Sequence, residues 1–272
     1  MIPTRTKTRE TADRVRVATY NVHKCRGLDG RIRPERVVEV LREVDADIVA
    51  LQEIVCRDGR RRADHQARYI AEELGLHAQL GENRRYRGGP YGNLLLSRLP
   101  IYLARNHDLS VYGRERRGCL RTDIRLKNNS VLHLFNVHLG TALFERRVQA
   151  RELFRRQVFT NPELMGSKII LGDFNEWTRD LPSDFFGRHF QSANSRIQEP
   201  RRRTFPGFLP FLALDYIYFD QGLQLHDVRV HRSRMALLAS DHLPLVAEFN
   251  LPIGKANDLR SIPPVISAFD IN

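Results

Sequence analysis

Cysteine is scarce in this chain: Cys25, Cys56 and Cys119 are all there is in 272 residues. Few, odd in number and widely separated, they exclude a disulfide framework and imply a reducing compartment. Their spacing matches no structural zinc site. Long apolar runs are missing too. None approaches the roughly 18 residues that a membrane-spanning helix needs. Residues 1–16 are polar and mixed in charge, without the apolar middle of a secretory signal. The cytoplasm is therefore the expected location. Lysine is nearly absent: of 44 basic residues, five are lysine (Lys7, Lys24, Lys127, Lys168 and Lys255) and the other 39 are arginine. No short motif repeats, and no clean linker divides the chain.

What is present is enough for a core, with 42% hydrophobic residues. The formal net charge is +12, which attracts polyanions: nucleic acid, anionic lipid surfaces or phosphorylated small molecules. Arginine's planar fork suits phosphate oxygens. A genomic preference for arginine codons would give the same composition, so charge ranks the substrates without choosing one.

Along the chain, residues 1–13 lack periodicity and read as a flexible arm. Residues 15–20 alternate as a strand. Pro34 opens a helix with Val37, Val38, Leu41 and Val44 on one face. Residues 48–51 form an apolar run, the mark of a strand covered on both faces. A second helix spans 65–74 and stops at Gly75. Residues 83–92 read as an Arg/Gly/Tyr-rich loop leading into a strand at 93–97. Residues 119–126 and 131–138 form a hairpin joined at Asn128-Asn129. The longest helical pattern runs over 142–159, followed by strands at 168–171, 214–219, 225–230 and 243–249 and an irregular tail at 253–272 around Pro263-Pro264. Mixed strands and helices throughout predict one α/β domain over 14–252. Its two mixed β-sheets pack face to face with helices outside. A monomer is expected.

Polar residues punctuate the predicted strand ends. Gly172-Asp173-Phe174-Asn175 follows the apolar run Lys168-Ile169-Ile170-Leu171 and places a carboxylate and a carboxamide two residues apart. Asn21 follows Val17-Ala18-Thr19-Tyr20, and Glu53 follows Val49-Ala50-Leu51-Gln52. His138 ends Phe135-Asn136-Val137-His138, and Asp241-His242 precedes Leu243-Pro244-Leu245. Ligands of open α/β sheets gather at strand ends, so these distant residues can meet.

Phosphate-ester hydrolysis explains the inventory. The anionic ester repels hydroxide and its leaving group is poor, which a hard divalent cation offsets. Magnesium prefers oxygen ligands with retained waters, as Glu53, Asp241 and the side-chain carbonyl of Asn21 would provide. His138 and His242, in cationic form, stabilise negative charge on the phosphoryl group. Asp215 orients His242. Asp173 orients or deprotonates the attacking water, and Asn175 binds phosphoryl oxygens.

Taken in order, Thr19-Tyr20-Asn21, Leu51-Gln52-Glu53, Tyr91-Gly92-Asn93 with Leu96-Ser97-Arg98, Asn136-Val137-His138-Leu139, Gly172-Asp173-Phe174-Asn175, Leu214-Asp215-Tyr216 and Ser240-Asp241-His242-Leu243-Pro244 resemble the endonuclease/exonuclease/phosphatase superfamily. That superfamily includes pancreatic deoxyribonuclease, abasic-site endonucleases, neutral sphingomyelinases and inositol polyphosphate 5-phosphatases. The match covers residues 15–250.

The resemblance implies a four-layer α/β sandwich and magnesium- or manganese-dependent phosphoester cleavage by in-line water attack. It assigns metal binding to Asn21, Glu53 and Asp241, the catalytic pair to His242 and Asp215, and phosphate contact to Asn175. His138 stands where abasic-site enzymes carry a tyrosine, which weakens that reading. Arg146 and Gln149 match a recurrent Arg-x-x-Gln of the family. Asn21-Val22-His23-Lys24 and Arg116-Arg117-Gly118 look most like an uncharacterised bacterial group within it. Lys24, Asn93, Arg117 and Arg146 are the substrate-binding candidates, and Arg201-Arg202-Arg203 suggests a polyanion clamp.

The leading expectation is a metal-dependent phosphodiesterase acting on DNA or RNA. Hydrolysis of a phospholipid headgroup or a small phosphoester is the alternative. A catalytically silent binder of phosphorylated ligands is a third reading, against which the intact set of polar residues argues. Residues 83–92 and 196–210 are expected to decide the substrate.

Overall fold

In the computed structural model, residues 14–126, 130–177 and 185–251 are described. The expected arm at 1–13, the Asn128-Asn129 turn and the tail at 253–272 lie outside them. In chain order the elements are β1 (Arg14–Asn21), α1 (Pro34–Val44), β2 (Ile48–Val55), α2 (Gln66–Leu74), β3 (His77–Tyr86), β4 (Gly89–Ser97), β5 (Ile101–Asp108), β6 (Gly118–Arg125) and β7 (Val131–His138). Then come α3 (Leu143–Arg155), β8 (Ser167–Asp173), β9 (Gln191–Ser192), β10 (Asp215–Phe219), β11 (Gln224–Val230), α4 (Arg234–Ala239) and β12 (Leu245–Asn250).

The strands form two mixed six-stranded sheets, ordered β11-β12-β1-β2-β4-β3 and β5-β6-β7-β8-β10-β9. Period-2 alternation gives each central strand two buried faces. Val15 and Val17 of β1, Leu132 and Leu134 of β7, and Ile169 and Leu171 of β8 meet between the sheets. Ala18 and Tyr20 turn outward to the α1, α2 and α4 layer. Phe135, Val137 and Ile170 turn outward to α3 and the aromatic cluster around Phe159, Phe174, Phe186 and Tyr218. The result is the four-layer sandwich expected, helices outside and two sheets within.

A polar latch crosses the apolar inter-sheet layer. Asn136, at an inward position of β7, donates to the carbonyls of Leu51 and Leu94 on the other sheet, both at 3.0 Å. Gln52 Nε2 donates to Asn136 Oδ1 at 2.8 Å, and Asn93 donates to the carbonyls of Gly118 and Asn136, both at 3.1 Å. Buried amides paired in this way fix the register of one sheet upon the other.

Several features differ from the sequence-based expectation. Most of residues 83–92 is not loop: β3 and β4 run through it as a hairpin turned at Arg87 and Gly88. β3 is a sheet edge, so its outer residues stay polar and leave no apolar run to read. The edge strand β5 is hidden for the same reason, with half of its positions exposed. The helix expected over 142–159 ends at Arg155; Val158 and Phe159 bury from the turn after it. Among the described residues no helix is long and apolar enough to cross a membrane. Cys25, Cys56 and Cys119 are buried and free.

Candidate active site

Four strands carry their inward stripe past the edge of the core as polar side chains. Val15, Val17 and Thr19 lead to Asn21 on β1. Leu132, Leu134 and Asn136 lead to His138 on β7. Ile169 and Leu171 lead to Asp173 on β8, and β10 runs inward from Asp215 to Ile217 and Phe219. Alternation thus aims these residues at one volume between the sheets' edges. Parallel pairing sets His138 opposite Asp173, and antiparallel pairing sets Asp215 opposite Asp173. Gly172 is required beside them: at φ 150°, a Cβ there would stand 1.9 Å from the Val137 carbonyl oxygen.

Glu53 arrives differently. Strand β2 does not end there, as its sequence suggested, but continues to Val55. Gln52 and Glu53 together oppose the single Asn93 in a bulge, with Glu53 at φ 62°. Bulges re-aim side chains, and this one brings the Glu53 carboxylate to Asn21. The Asn21 amide donates to Glu53 Oε1 at 3.3 Å and to Asp173 Oδ2 at 3.0 Å.

Asp173 is the hub. Besides Asn21, its Oδ2 lies 3.6 Å from His138 Nε2 and 3.7 Å from His242 Nε2. Its Oδ1 accepts from the Asn175 amide N–H at 2.9 Å, closing a turn. Burial pushes the carboxyl up to about 6, against the lowering influence of His242. His242 Nδ1 lies 2.9 Å from Asp215 Oδ2. Burial alone would lower its pKa, but Asp215 and Asp173 hold it up to about 10, so it is cationic at neutral pH.

His138 is the opposite case. Burial and the adjacent Arg117 guanidinium drive it well below 6.5. Arg117 Nη1 lies 3.1 Å from His138 Nδ1. An arginine can only donate, so Nδ1 accepts and the single ring proton sits on Nε2, facing Asp173. The sequence reading gave both histidines a cationic role; His138 is neutral, and Arg117 supplies the positive charge on that side. Asn175, at φ 49°, donates its side-chain amide to the Leu139 carbonyl at 2.9 Å.

The oxygen donors suit a hard divalent cation. Glu53 stays ionised: burial would raise its pKa, but the Lys24 ammonium beside it holds the carboxyl below the usual carboxylate range. The Lys24 ammonium rests against Glu53 Oε2, so that carboxylate already faces a position taken by positive charge. Asp241 stands nearby through Ser240, whose Oγ lies 2.8 Å from the Asn21 carbonyl and 3.3 Å from Asp241 Oδ1. His23 Nδ1 is 3.5 Å from Asp241 Oδ2. Among the described residues, no three His, Cys, Asp or Glu side chains form a closed metal cage. Magnesium does not need one, since it keeps waters and takes one or two carboxylates. Glu53, Asn21 and Asp241 are the oxygen-bearing side chains that would hold it.

Asn21, Glu53, His138, Asp173, Asn175, Asp215 and His242 therefore stand together, with Lys24, Arg117 and Asp241 at their edge. Asn93 and Arg146 do other work than the substrate contact expected. Asn93 is fully buried with its amide spent in the inter-sheet latch. Arg146 is 2% exposed and turns its guanidinium to the carbonyls of Thr141 and Gly140, bracing the loop after β7. Gln149 holds the same loop through the Gly140 N–H at 2.8 Å. Sequence reasoning missed Ser240 as a brace and Asn136 as a latch. The signal for Asn136 was available: an amide at an inward position of an otherwise apolar strand must find partners.

The sequence matches the Endonuclease/Exonuclease/phosphatase family over residues 18–242. It is 31% identical over 249 residues to the uncharacterized protein YbhP of Escherichia coli K12, covering 87% of this chain and 96% of that one. Its fold is similar to an endonuclease/exonuclease/phosphatase from Beutenbergia cavernae, with TM-score 0.73, 21% identity and coverage of 88% of this chain and 72% of the other. It is also similar to a mannosyl-6-phosphatase from Bacteroides thetaiotaomicron, with TM-score 0.70, 17% identity and coverage of 86% and 99%. A chain matched over most of its length, with the strands that carry its polar cluster inside the match, belongs to the endonuclease/exonuclease/phosphatase family.

Proposed function

We propose that this chain is a divalent-metal-dependent phosphodiesterase that cleaves DNA or RNA by in-line attack of water. The observation that carries this reading is the arrangement around Asp173. A buried carboxylate with a raised pKa faces a neutral histidine on one side and a cationic one on the other. Asp173 accepts the proton of the attacking water, because a base with a pKa near the working pH is effective. His242, held cationic by Asp215, stabilises the negative charge that grows on the phosphoryl oxygens. Asn175 and Arg117 add donors to the same oxygens, and Arg117 keeps His138 in the tautomer that presents Nε2–H. Glu53, Asn21 and Asp241 would hold magnesium or manganese, which supplies charge neutralisation for the ester and its leaving oxygen.

The test is a panel of plasmid, single-stranded DNA and RNA with magnesium, manganese or chelator. Metal-dependent degradation, abolished by chelator, supports the proposal. Intact nucleic acid under every condition contradicts it.

One observation favours a second reading, a phospholipid headgroup. The segment 204–212 closes on itself through the Phe205–Leu212 bridge and exposes Phe208, Leu209 and Phe211 by more than half. The Phe205 ring lies 4.9 Å from that of His242, and the Gly207 N–H donates to the Asp241 carbonyl at 2.6 Å. Apolar side chains raised beside a catalytic histidine suit a lipid surface. Release of headgroup from phospholipid vesicles, with nucleic acid left intact, would favour this reading. A silent binder would turn over neither substrate.

A further inference from the structure

Beside the candidate metal carboxylate lies a cavity of about 360 Å³ that the reaction outlined above does not use. It shares Lys24 with the site, and its walls carry Arg26, Arg57 and Arg87 beside Lys24, which is paired with Glu53, and His23, which faces Asp241; among the described residues lining it, Asp64 is the one carboxylate. Asp64 is committed to Arg57, at 3.5 Å. Among the described residues, neither Arg26 nor Arg87 pairs with a carboxylate; Arg26 Nε donates to the Gly30 carbonyl at 3.2 Å, and Arg87 lies over the Tyr86 ring. The cavity therefore holds uncompensated positive charge next to a phosphoester site.

The backbone is strained at two places along the wall of this cavity. His23, Lys24 and Cys25 are consecutive left-handed residues, with φ of 46°, 60° and 56°. L side chains seldom adopt this conformation, and rarely three in a row. The β3–β4 hairpin turns through Arg87 at φ 50° and Gly88 at φ 87°. A two-residue turn of this kind takes Asn-Gly by preference, yet an arginine occupies the first position. Strain kept at two separate places, each presenting a basic side chain to one cavity, points to function. The floor is rigid: Gln66, 4% exposed, donates to the Lys24 carbonyl at 2.7 Å and accepts from the Val55 N–H at 2.9 Å.

We propose that this cavity is a subsite for a second phosphate group of the substrate, so that the preferred esters carry a phosphate beyond the one being cleaved. The inference rests on the phosphoesterase reading and deepens it. Arginine forks bind phosphate oxygens in pairs. The second phosphate comes either from the next position of a nucleic-acid strand or from a small bisphosphate.

The test compares thymidine 5′-(p-nitrophenyl phosphate) with the same ester bearing a 3′-phosphate, on the wild type and on Arg87→Asn, a substitution the turn accepts. The wild type should show a KM about tenfold lower for the doubly phosphorylated ester, the scale of a charged hydrogen bond. Arg87→Asn should lose that advantage with kcat unchanged and the singly phosphorylated ester unaffected. Equal KM values on the wild type, or an advantage that survives Arg87→Asn, would overturn the subsite. A decathymidylate arm separates the sources. Dependence on Arg87 there supports a strand phosphate, and dependence confined to the small ester supports a small bisphosphate. Should the wild type hydrolyse neither ester, the activity has failed rather than the subsite. Calorimetric binding of thymidine 3′,5′-bisphosphate against thymidine 5′-monophosphate then decides, and equal affinities overturn the proposal.

Discussion

His138 and His242 both turn Nε2 toward Asp173 Oδ2, at 3.6 and 3.7 Å, yet differ in charge at neutral pH, His138 being neutral and His242 cationic. The difference lies in what meets the far nitrogen. Arg117 stands 3.1 Å from His138 Nδ1 and forbids a proton there, whereas Asp215 stands 2.9 Å from His242 Nδ1 and demands one. Two buried imidazoles are thereby divided into a neutral donor and a cation around a single carboxylate.

Replacing Arg117 tests this division. Arg117→Met removes a cation from beside His138, and the histidine's pKa should move up from its depressed value, though burial still holds it down. Histidine titration followed by NMR reads the shift. The rate should fall by about 10²-fold if Arg117 also donates to the phosphoryl oxygens.

The pH dependence follows from His242. Its folded pKa is raised, so its charge is complete below that value and is lost as pH rises through about 10. Activity should hold across neutrality and decline on an alkaline limb near there. In Asp215→Asn the main raising influence is gone, burial is unopposed by it, and the limb should move to lower pH. A pH–rate profile with an unmoved limb would remove Asp215 from its orienting role.

The inter-sheet latch makes a stability prediction. Asn136→Ala leaves the carbonyls of Leu51 and Leu94 without their buried side-chain donor, while the Gln52 amide keeps Thr19 and the Ala50 carbonyl. At roughly 1–3 kcal/mol for each buried unsatisfied group, the loss should reach at least about 2 kcal/mol. For a chain of this size that is a Tm lower by roughly 4–8 °C, readable by thermal denaturation.

Metal binding should depend on Glu53. Glu53→Gln keeps the shape but removes the charge that Lys24 now faces. The magnesium concentration that half-saturates activity should rise by about tenfold or more. The thermal stabilisation conferred by magnesium should shrink in parallel.

Much of this was legible in the sequence because it obeys a period of two. Asn21, His138 and Asp173 extend inward-facing apolar stripes, so reading the stripes finds the site. Glu53 was legible as a residue but not as geometry, since a bulge breaks the alternation that would have placed it. The charge of His138 was not legible, because it depends on Arg117 reaching it from the residue before β6, a contact fixed by the pairing of β6 with β7. The β3–β4 hairpin was hidden by its edge position, and with it the place of Arg87. Asn93 and Arg146 look like substrate contacts when only residue type is considered; their burial assigns them to the frame.

The most direct test of the account is the hydrolysis rate of bis(p-nitrophenyl) phosphate at saturating magnesium, for the wild type and for Asp173→Asn. A rate lower by at least about two orders of magnitude in a variant with unchanged circular dichroism is the predicted result. An equal rate in a folded Asp173→Asn protein would contradict it.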